Sequence, residues 1–155
     1  LYYLSPSINI QNELFFELGI SYGAKYGDDT KTGHLFTQCA LYSFKLSSEF
    51  YKTSSYVPVI FGPKISFETN MFVITSLISD KPLLPVLQLA IGCRLGVVNY
   101  TNFEQNMVCF IPEIGLETPL YNYLSIFYGY NYLVGGTRFK EISNSRLSIT
   151  LNIPF

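Results

Sequence analysis

Apolar and polar residues alternate along much of the chain with a period of two. The segment 14–26 shows this best, because one face carries mostly large apolar side chains and the other carries mostly charged and small residues. The two faces are Leu14, Phe16, Leu18, Ile20 and Tyr22 against Glu17, Gly19, Ser21, Gly23 and Lys25. Segment 144–155 repeats the pattern. Successive side chains of a β-strand point to opposite faces, so the period predicts strands with one apolar and one polar face.

Turn-forming residues divide the chain into eight such segments. Gly, Pro, Asn and Asp are frequent in the connections between them. The predicted strands lie near 1–11, 14–26, 35–51, 64–78, 86–98, 107–117, 121–133 and 144–155. The main predicted connections are 12–13, 27–33, 52–63, 79–82, 99–106, 118–120 and 134–143. No linker interrupts the pattern, so we expect a single domain over 1–155, an all-β antiparallel up-and-down barrel of eight strands.

The composition indicates that this barrel crosses a membrane. Charged residues make up 14% of the chain, against about 25% in an average soluble domain. No apolar run reaches the roughly 18 residues that a transmembrane helix needs, and the most apolar stretch, 83–98, is interrupted by Pro85 and Arg94. In lipid every backbone N–H and C=O needs an internal partner, which leaves a closed β-barrel as the alternative.

The charged residues within the predicted strands all lie on the more polar face. They are Glu17, Lys25, Lys45, Glu49, Lys64, Glu68, Arg94, Glu113, Glu117 and Arg146. Glycines and serines share that face, and small residues suit the narrow interior of an eight-stranded barrel. We therefore expect the polar face to point inward, as in membrane barrels and unlike lipocalins. The interior charges are predicted to pair in a structural network, with Arg94 as the partner of Glu113.

Tyrosines near the predicted strand ends suit the aromatic girdles of membrane barrels. These are Tyr22, Tyr26, Tyr42, Tyr130 and Tyr132.

The sequence offers little for catalysis. His34 is the single histidine, and no serine is evidently poised to form a Ser–His–acid hydrolase with it and the Asp28–Asp29 pair. Two adjacent acids are weak evidence for a cation site. The three cysteines, Cys39, Cys93 and Cys109, form no CxxC motif. We expect no catalytic residue, cofactor or metal. A net charge of −1 without a basic cluster argues against nucleic acid as a partner.

The closing segment Arg146-Leu-Ser-Ile-Thr-Leu-Asn-Ile-Pro-Phe155 resembles the last strand of bacterial outer-membrane β-barrel proteins. The segments 62–68, 111–116 and 128–132 resemble pieces of the small, eight-stranded outer-membrane barrels of Bacteroidota-type bacteria. The resemblance implies an integral protein of the bacterial outer membrane. It also implies that Phe155 is an assembly signal read by the barrel-assembly machinery.

These observations favour a non-catalytic barrel, acting as a structural element or as an accessory subunit of a larger outer-membrane complex. Its expected partners are outer-membrane lipid and, in the subunit case, other outer-membrane proteins or lipoproteins. Three alternatives stay open: a small pore, for which the interior carboxylates would form an ion path; a lipid-modifying membrane enzyme; and, should the faces be reversed, a soluble lipocalin-like ligand-binding barrel.

Overall fold

The computed structural model describes residues 2–26, 40–51, 59–75, 88–117 and 124–155. Within these ranges the chain is almost entirely β-strand. The strands are β1 (Tyr2–Leu4), β2 (Ser7–Ile10), β3 (Leu14–Tyr26), β4 (Ala40–Tyr51), β5 (Ile60–Thr75), β6 (Gln88–Thr101), β7 (Asn106–Glu117), β8 (Leu124–Tyr130), β9 (Tyr132–Gly136), β10 (Ser145–Leu151) and β11 (Ile153–Pro154). No helix in the described ranges is long and apolar enough to cross a membrane.

The strands form a closed antiparallel barrel with eight staves, as the alternation predicted. β1 and β2 together make the first stave, β8 and β9 the seventh, and β10 and β11 the eighth. The first stave pairs with β3 on one side and with β10 and β11 on the other, which closes the wall. Pro6 interrupts the first stave between β1 and β2, because proline has no N–H to give to the ladder.

Three predicted connections were too long. β5 begins at Ile60 rather than at residue 64, β6 continues through Thr101, and β9 covers 132–136. Pairing between neighbouring strands overrides the turn-like residues: Phe61 pairs with Thr101, and Pro63 pairs with Ser48 inside the ladder. Parts of the predicted strands 35–51, 64–78, 86–98 and 121–133 lie outside the described residues.

The polar face of the barrel points inward and the apolar face points outward. Glu17 is 3% exposed, whereas its neighbours Phe16 and Leu18 are 58% and 53% exposed. The same inversion holds on the other long strands, where Lys45, Arg94 and the remaining buried charges alternate with exposed aliphatic and aromatic side chains. The prediction, drawn from the small residues, that the polar face points inward is therefore confirmed.

The two ends of the barrel differ. We call the end of the barrel where Tyr2 and Phe155 lie the terminal end, and the opposite end the hairpin end. The interior of the hairpin end holds an apolar cluster: Phe15, Tyr51, Ile60, Val98, Tyr100, Met107, Cys109, Ile111, Phe139 and Ile142. Segment 137–144 contributes two of these side chains, and the Phe139 N–H donates to Met107 Sδ at 3.4 Å. The Asn12 side chain fixes the same segment through Lys140 O at 2.9 Å. Apolar side chains thus fill this end.

Candidate functional site: the charged interior

The interior beyond the apolar cluster contains buried charges in direct contact. Glu17 on β3 accepts from Lys45 Nζ at 2.8 Å and from Lys64 Nζ at 3.4 Å. Its two oxygens also accept from the side chains of Asn9 at 2.8 Å and Ser47 at 2.6 Å. Buried charges are tolerated when they are paired and their remaining lone pairs are satisfied, and Glu17 meets both conditions.

Glu49 on β4 continues this chain of contacts. Lys64 Nζ lies 3.2 Å from Glu49 Oε1, so one ammonium group bridges the carboxylates of Glu17 and Glu49. Arg146 Nη2 lies 2.7 Å from the same Glu49 oxygen. The Tyr100 hydroxyl donates to Glu49 Oε2 at 2.8 Å. Lys64, Glu49 and Arg146 each have fully buried side chains.

Arg146 on β10 links Glu49 on β4 to Glu113 on β7. Its Nε lies 3.3 Å from Glu113 Oε1, and its Nη1 donates to the Tyr100 hydroxyl at 3.2 Å. The Ser148 hydroxyl donates to the same Glu113 oxygen at 2.8 Å. One guanidinium group therefore holds carboxylates from β4 and β7, which is the planar, multiply donating geometry for which arginine is suited.

Arg94 on β6 carries the network to the terminal end. Its Nη2 lies 2.6 Å from Glu68 Oε2, and its Nη1 lies 3.5 Å from Glu113 Oε2. The guanidinium also sits 4.0 Å above the centre of the Phe127 ring, a cation–π contact. The ion pairs form one unbroken sequence of alternating sign, running Lys45, Glu17, Lys64, Glu49, Arg146, Glu113, Arg94, Glu68.

The structure brings most of the charges predicted for the interior into this sequence. The pair expected between Arg94 and Glu113 is present, but the shorter contact of Arg94 is to Glu68. Glu117 is buried at the terminal end of β7. The side chain of Lys25 lies outside the described residues, as do His34, Asp28, Asp29 and Cys39.

Sequence reasoning missed the neutral members of the network. Tyr100 was assigned to a connection, yet it is fully buried on β6 and contacts both Glu49 and Arg146. A signal for it existed, because Gly96 and Val98 share its alternation and also point inward. Ser148 was counted only as a small residue of the polar face and Ser47 was not singled out, yet their hydroxyls donate to Glu113 and Glu17.

The charged groups at the centre of the interior satisfy one another. The central carboxylates form ion pairs with the lysines and arginines of the interior. The side chains of Glu17, Glu49 and Glu113 are no more than 1% exposed. Cys93 and Cys109 are free thiols. Among the described residues no three His, Cys, Asp or Glu side chains converge in a way that would hold a metal ion.

The outer wall carries paired aromatic rings toward both ends. The ring centres of Tyr2 and Tyr22 lie 5.1 Å apart near the terminal end with the rings tilted, and those of Tyr42 and Phe67 lie 6.1 Å apart at the same end. At the hairpin end the pairs are Phe50 with Phe61, at 5.3 Å, and Tyr130 with Tyr132, at 4.5 Å. Of the tyrosines predicted for a girdle, Tyr22, Tyr42, Tyr130 and Tyr132 are exposed on this wall. The side chain of Tyr26 lies outside the described residues.

The chain matches no protein-family model, no curated protein and no solved structure. Its function has to be inferred from the barrel itself: a paired, charged interior, one end filled with apolar side chains, and an apolar outer wall with aromatic pairs toward each end.

Proposed function

We propose that this chain is an integral β-barrel of a bacterial outer membrane, of the small eight-stranded Bacteroidota type, with a non-catalytic role as a structural element or accessory subunit. The observation that carries the proposal is the orientation of the two faces of the wall, with the polar face inward and the apolar face outward. Charges are buried inside, while large apolar side chains such as Ile20, Leu46 and Ile114 are 53–58% exposed outside. A membrane barrel needs this arrangement, and a lipocalin-like ligand binder needs the opposite one.

Water is a poor solvent for that outer wall. Soluble monomers rarely expose a continuous apolar patch larger than a few hundred Å². Here apolar residues occupy the outward positions of successive strands, including Leu18 on β3, Leu46 on β4, Ile65 on β5 and Leu95 on β6. Each of these residues is about half exposed, so removing its remaining surface from water stabilises by roughly half of the 1.5–3 kcal/mol that burying a fully exposed side chain yields. Lipid supplies that environment on all sides of the barrel at once.

The spacing of the aromatic pairs also fits a bilayer. Tyr42 and Phe50 lie at opposite ends of the outer face of β4. At a rise of about 3.4 Å per residue they are about 27 Å apart along the strand, or about 21 Å along the barrel axis at a tilt of about 40°. This is close to the apolar band of about 25 Å that aromatic girdles enclose in membrane barrels.

The filled interior supports a structural role over a pore. Open channels occur in barrels of about 16–18 strands, whereas eight strands leave room for little more than side chains. Here the ion-pair sequence occupies the middle, and Phe139 and Ile142 pack inside the hairpin end. The outer wall and the rims, where Phe103 and Phe155 are 87% and 76% exposed, are then the surfaces left for partners. Outer-membrane proteins and lipoproteins are the candidates.

Membrane insertion is tested directly with a tryptophan scan, because the chain contains no tryptophan. Ile126→Trp places the reporter outside and Phe127→Trp places it inside, one residue along β8. In liposomes of brominated phosphatidylcholine we expect strong quenching of the Ile126→Trp emission and weak quenching of Phe127→Trp. Equal weak quenching of both would overturn the membrane proposal.

The subunit role is tested by extracting native membranes with a mild detergent and identifying co-migrating proteins by native sizing and mass spectrometry. Migration in one reproducible large complex would support an accessory subunit and name its partners. Migration at the size of a single barrel with its detergent would overturn the subunit role and leave the stand-alone structural barrel.

A further inference from the structure

One edge of strand β9 is open in the described part of the barrel, at the hairpin end. Among the described residues β9 pairs with β7 alone, whereas β8, which precedes it in the same stave, pairs with both β7 and β10. β10 begins at Ser145, opposite Tyr130, and therefore does not extend alongside β9. The segment before β10 does not extend the ladder either, because Phe139 and Ile142 are buried in the interior. Within the described ranges, the backbone of β9 thus has no strand beside it on that side.

The open edge presents hydrogen-bonding groups and apolar side chains together. An antiparallel strand directs its N–H and C=O groups to both sides, so β9 offers some of these groups away from β7. Tyr132, Leu133 and Val134 are 53%, 43% and 68% exposed. β9 contains no charged residue and no proline, which are residues that discourage an edge strand from pairing with other chains. The edge is therefore able to accept a further strand.

A glycine leaves room beside this edge for a large side chain. A Cβ added at Gly135 would have no atom of another described element within 4 Å. Large side chains that cover the glycines of a neighbouring strand stabilise strand pairs. On the same stave the ring centres of Tyr130 and Tyr132 lie 4.5 Å apart and add an aromatic surface. The edge thus favours an extended, uncharged segment with an aromatic side chain opposite Gly135.

The occupant that fits these groups is a segment of another protein. Lipid acyl chains carry no hydrogen-bonding groups, so they cannot pair with the backbone of β9. A second copy of this chain is disfavoured, because two barrels inserted the same way in one bilayer are related by a rotation about the membrane normal. That rotation gives both β9 strands the same sense along the normal, so the two edges cannot pair as antiparallel strands.

We propose that the open edge of β9 docks an extended segment of a partner protein, which adds to the barrel wall as an antiparallel strand. Backbone hydrogen bonds provide the affinity of such complexes, and the space over Gly135 selects a bulky side chain. Tyr130 and Tyr132 belong to the aromatic pairs of the hairpin end, so the segment arrives from the aqueous side of that end. The inference deepens the proposed accessory-subunit role and rests on it.

Binding of a defined peptide by the purified barrel in detergent tests the proposal. The probe is a short fluorescent peptide of alternating threonine and valine with one central tyrosine, and fluorescence anisotropy measures its binding. We expect saturable binding by folded wild type. N-methylation of one alternate set of peptide amides should weaken binding by about tenfold or more, because it removes the donors that face β9. N-methylation of the other alternate set, which faces away from β9, is the matched control and should leave the affinity nearly unchanged.

Two substitutions at Val134 make the same test on the barrel. The β7–β9 register shifts at this residue, and prolines in strands occur at such bulges and on edges, so Val134→Pro should fold. It should bind the peptide more weakly by about tenfold or more, because a proline on an edge obstructs pairing with another strand. Val134→Thr keeps the N–H and the β-branched shape, and it should bind as wild type does. Circular dichroism of each variant establishes that the barrel is intact.

Absence of saturable binding by folded wild type would overturn the proposal. Equal binding of the two methylated peptides, or unchanged binding by folded Val134→Pro, would overturn it as well. The extraction of native membranes separates this failure from failure of the proposed function. Migration of the native barrel alone would remove the subunit role and this inference with it, whereas a large native complex without peptide binding would overturn the docking at β9 alone.

Discussion

Arg146 and Glu49 form an ion pair across the interior of the barrel, with Arg146 Nη2 2.7 Å from Glu49 Oε1. The two residues lie on strands that are not neighbours: β10 pairs with β2 and β8, and β4 pairs with β3 and β5. Neither side chain has any exposed surface. This contact therefore fixes the distance between opposite walls, which backbone hydrogen bonds between adjacent strands do not do.

Replacing Arg146 with methionine should destabilise the barrel by about 3–5 kcal/mol, because it removes one cation from two buried carboxylates and leaves their charge only partly compensated by Lys64 and Arg94. Glu49 and Glu113 both lose an ion pair in this variant. The free energy of unfolding in detergent, measured by denaturant titration, checks the expectation. Arg138→Met is the control, because Arg138 is exposed at the hairpin end and should cost about 0.5 kcal/mol or less.

The double variant Arg146→Met, Glu49→Gln separates pairing from general packing. Removing both partners also removes the carboxylate charge that Arg146 compensates at Glu49, so the combined loss should be smaller than the sum of the two single losses. Losses that add, or an Arg146→Met cost equal to that of Arg138→Met, would contradict a stabilising ion pair.

The sequence predicts which charges lie inside, but it does not predict their partners. Alternation is a local property, so Glu17 and Arg146 were assigned to the interior from their own strands alone. Whether Arg146 contacts Glu49 depends on the stagger between the strands of the closed barrel, and that stagger is a property of the whole barrel rather than of any one strand.

The apolar filling of the hairpin end was missed for a related reason. Phe139 and Ile142 lie in a stretch that was assigned to a connection, because it has no period of two and carries Arg138, Lys140 and Glu141. Their burial, at 6% and 2% exposure, comes from the segment folding over the end of the barrel. No local pattern encodes that contact.

Gly19→Ala should destabilise the barrel by about 1–3 kcal/mol, the usual cost of overpacking. An added Cβ would lie 2.5 Å from Ser47 Cβ and 2.8 Å from the Leu46 carbonyl oxygen. Gly23→Ala is its matched control on the same strand and face, because the nearest atom there is 3.5 Å away. Denaturant titration of both variants checks this, and equal costs would show that close approach at Gly19 is unimportant.

Phe139→Ala should destabilise the barrel by about 3–5 kcal/mol and still leave it closed to ions. The variant opens space beside Met107 at the hairpin end, but the ion pairs among Glu17, Lys64 and Glu49 continue to occupy the middle. Planar-bilayer recordings of wild type and Phe139→Ala should both show baseline current. Discrete channel openings in wild type would contradict the filled interior and favour the pore.

Phe155→Ala should impair assembly in cells and leave refolding in detergent unchanged. The Phe155 side chain is 76% exposed and contributes little packing, with its ring centre 6.3 Å from that of Tyr2. Loss of the chain from the outer-membrane fraction, with normal refolding of the purified variant, would support a role in recognition by the assembly machinery. A parallel loss in both assays would show that Phe155 serves stability instead.

Leu46→Arg should destabilise the barrel in liposomes by about 2–4 kcal/mol, the cost of a cation on the lipid face at the bilayer midplane. Leu46 is 53% exposed and lies midway between Tyr42 and Phe50 on the outer face of β4. Tyr42→Arg places the same charge at the rim, where the cost falls to about 0–1 kcal/mol. A soluble barrel would treat both positions as water-exposed and tolerate arginine equally. The difference between the two variants, measured by unfolding from liposomes, therefore reports whether the apolar wall faces lipid.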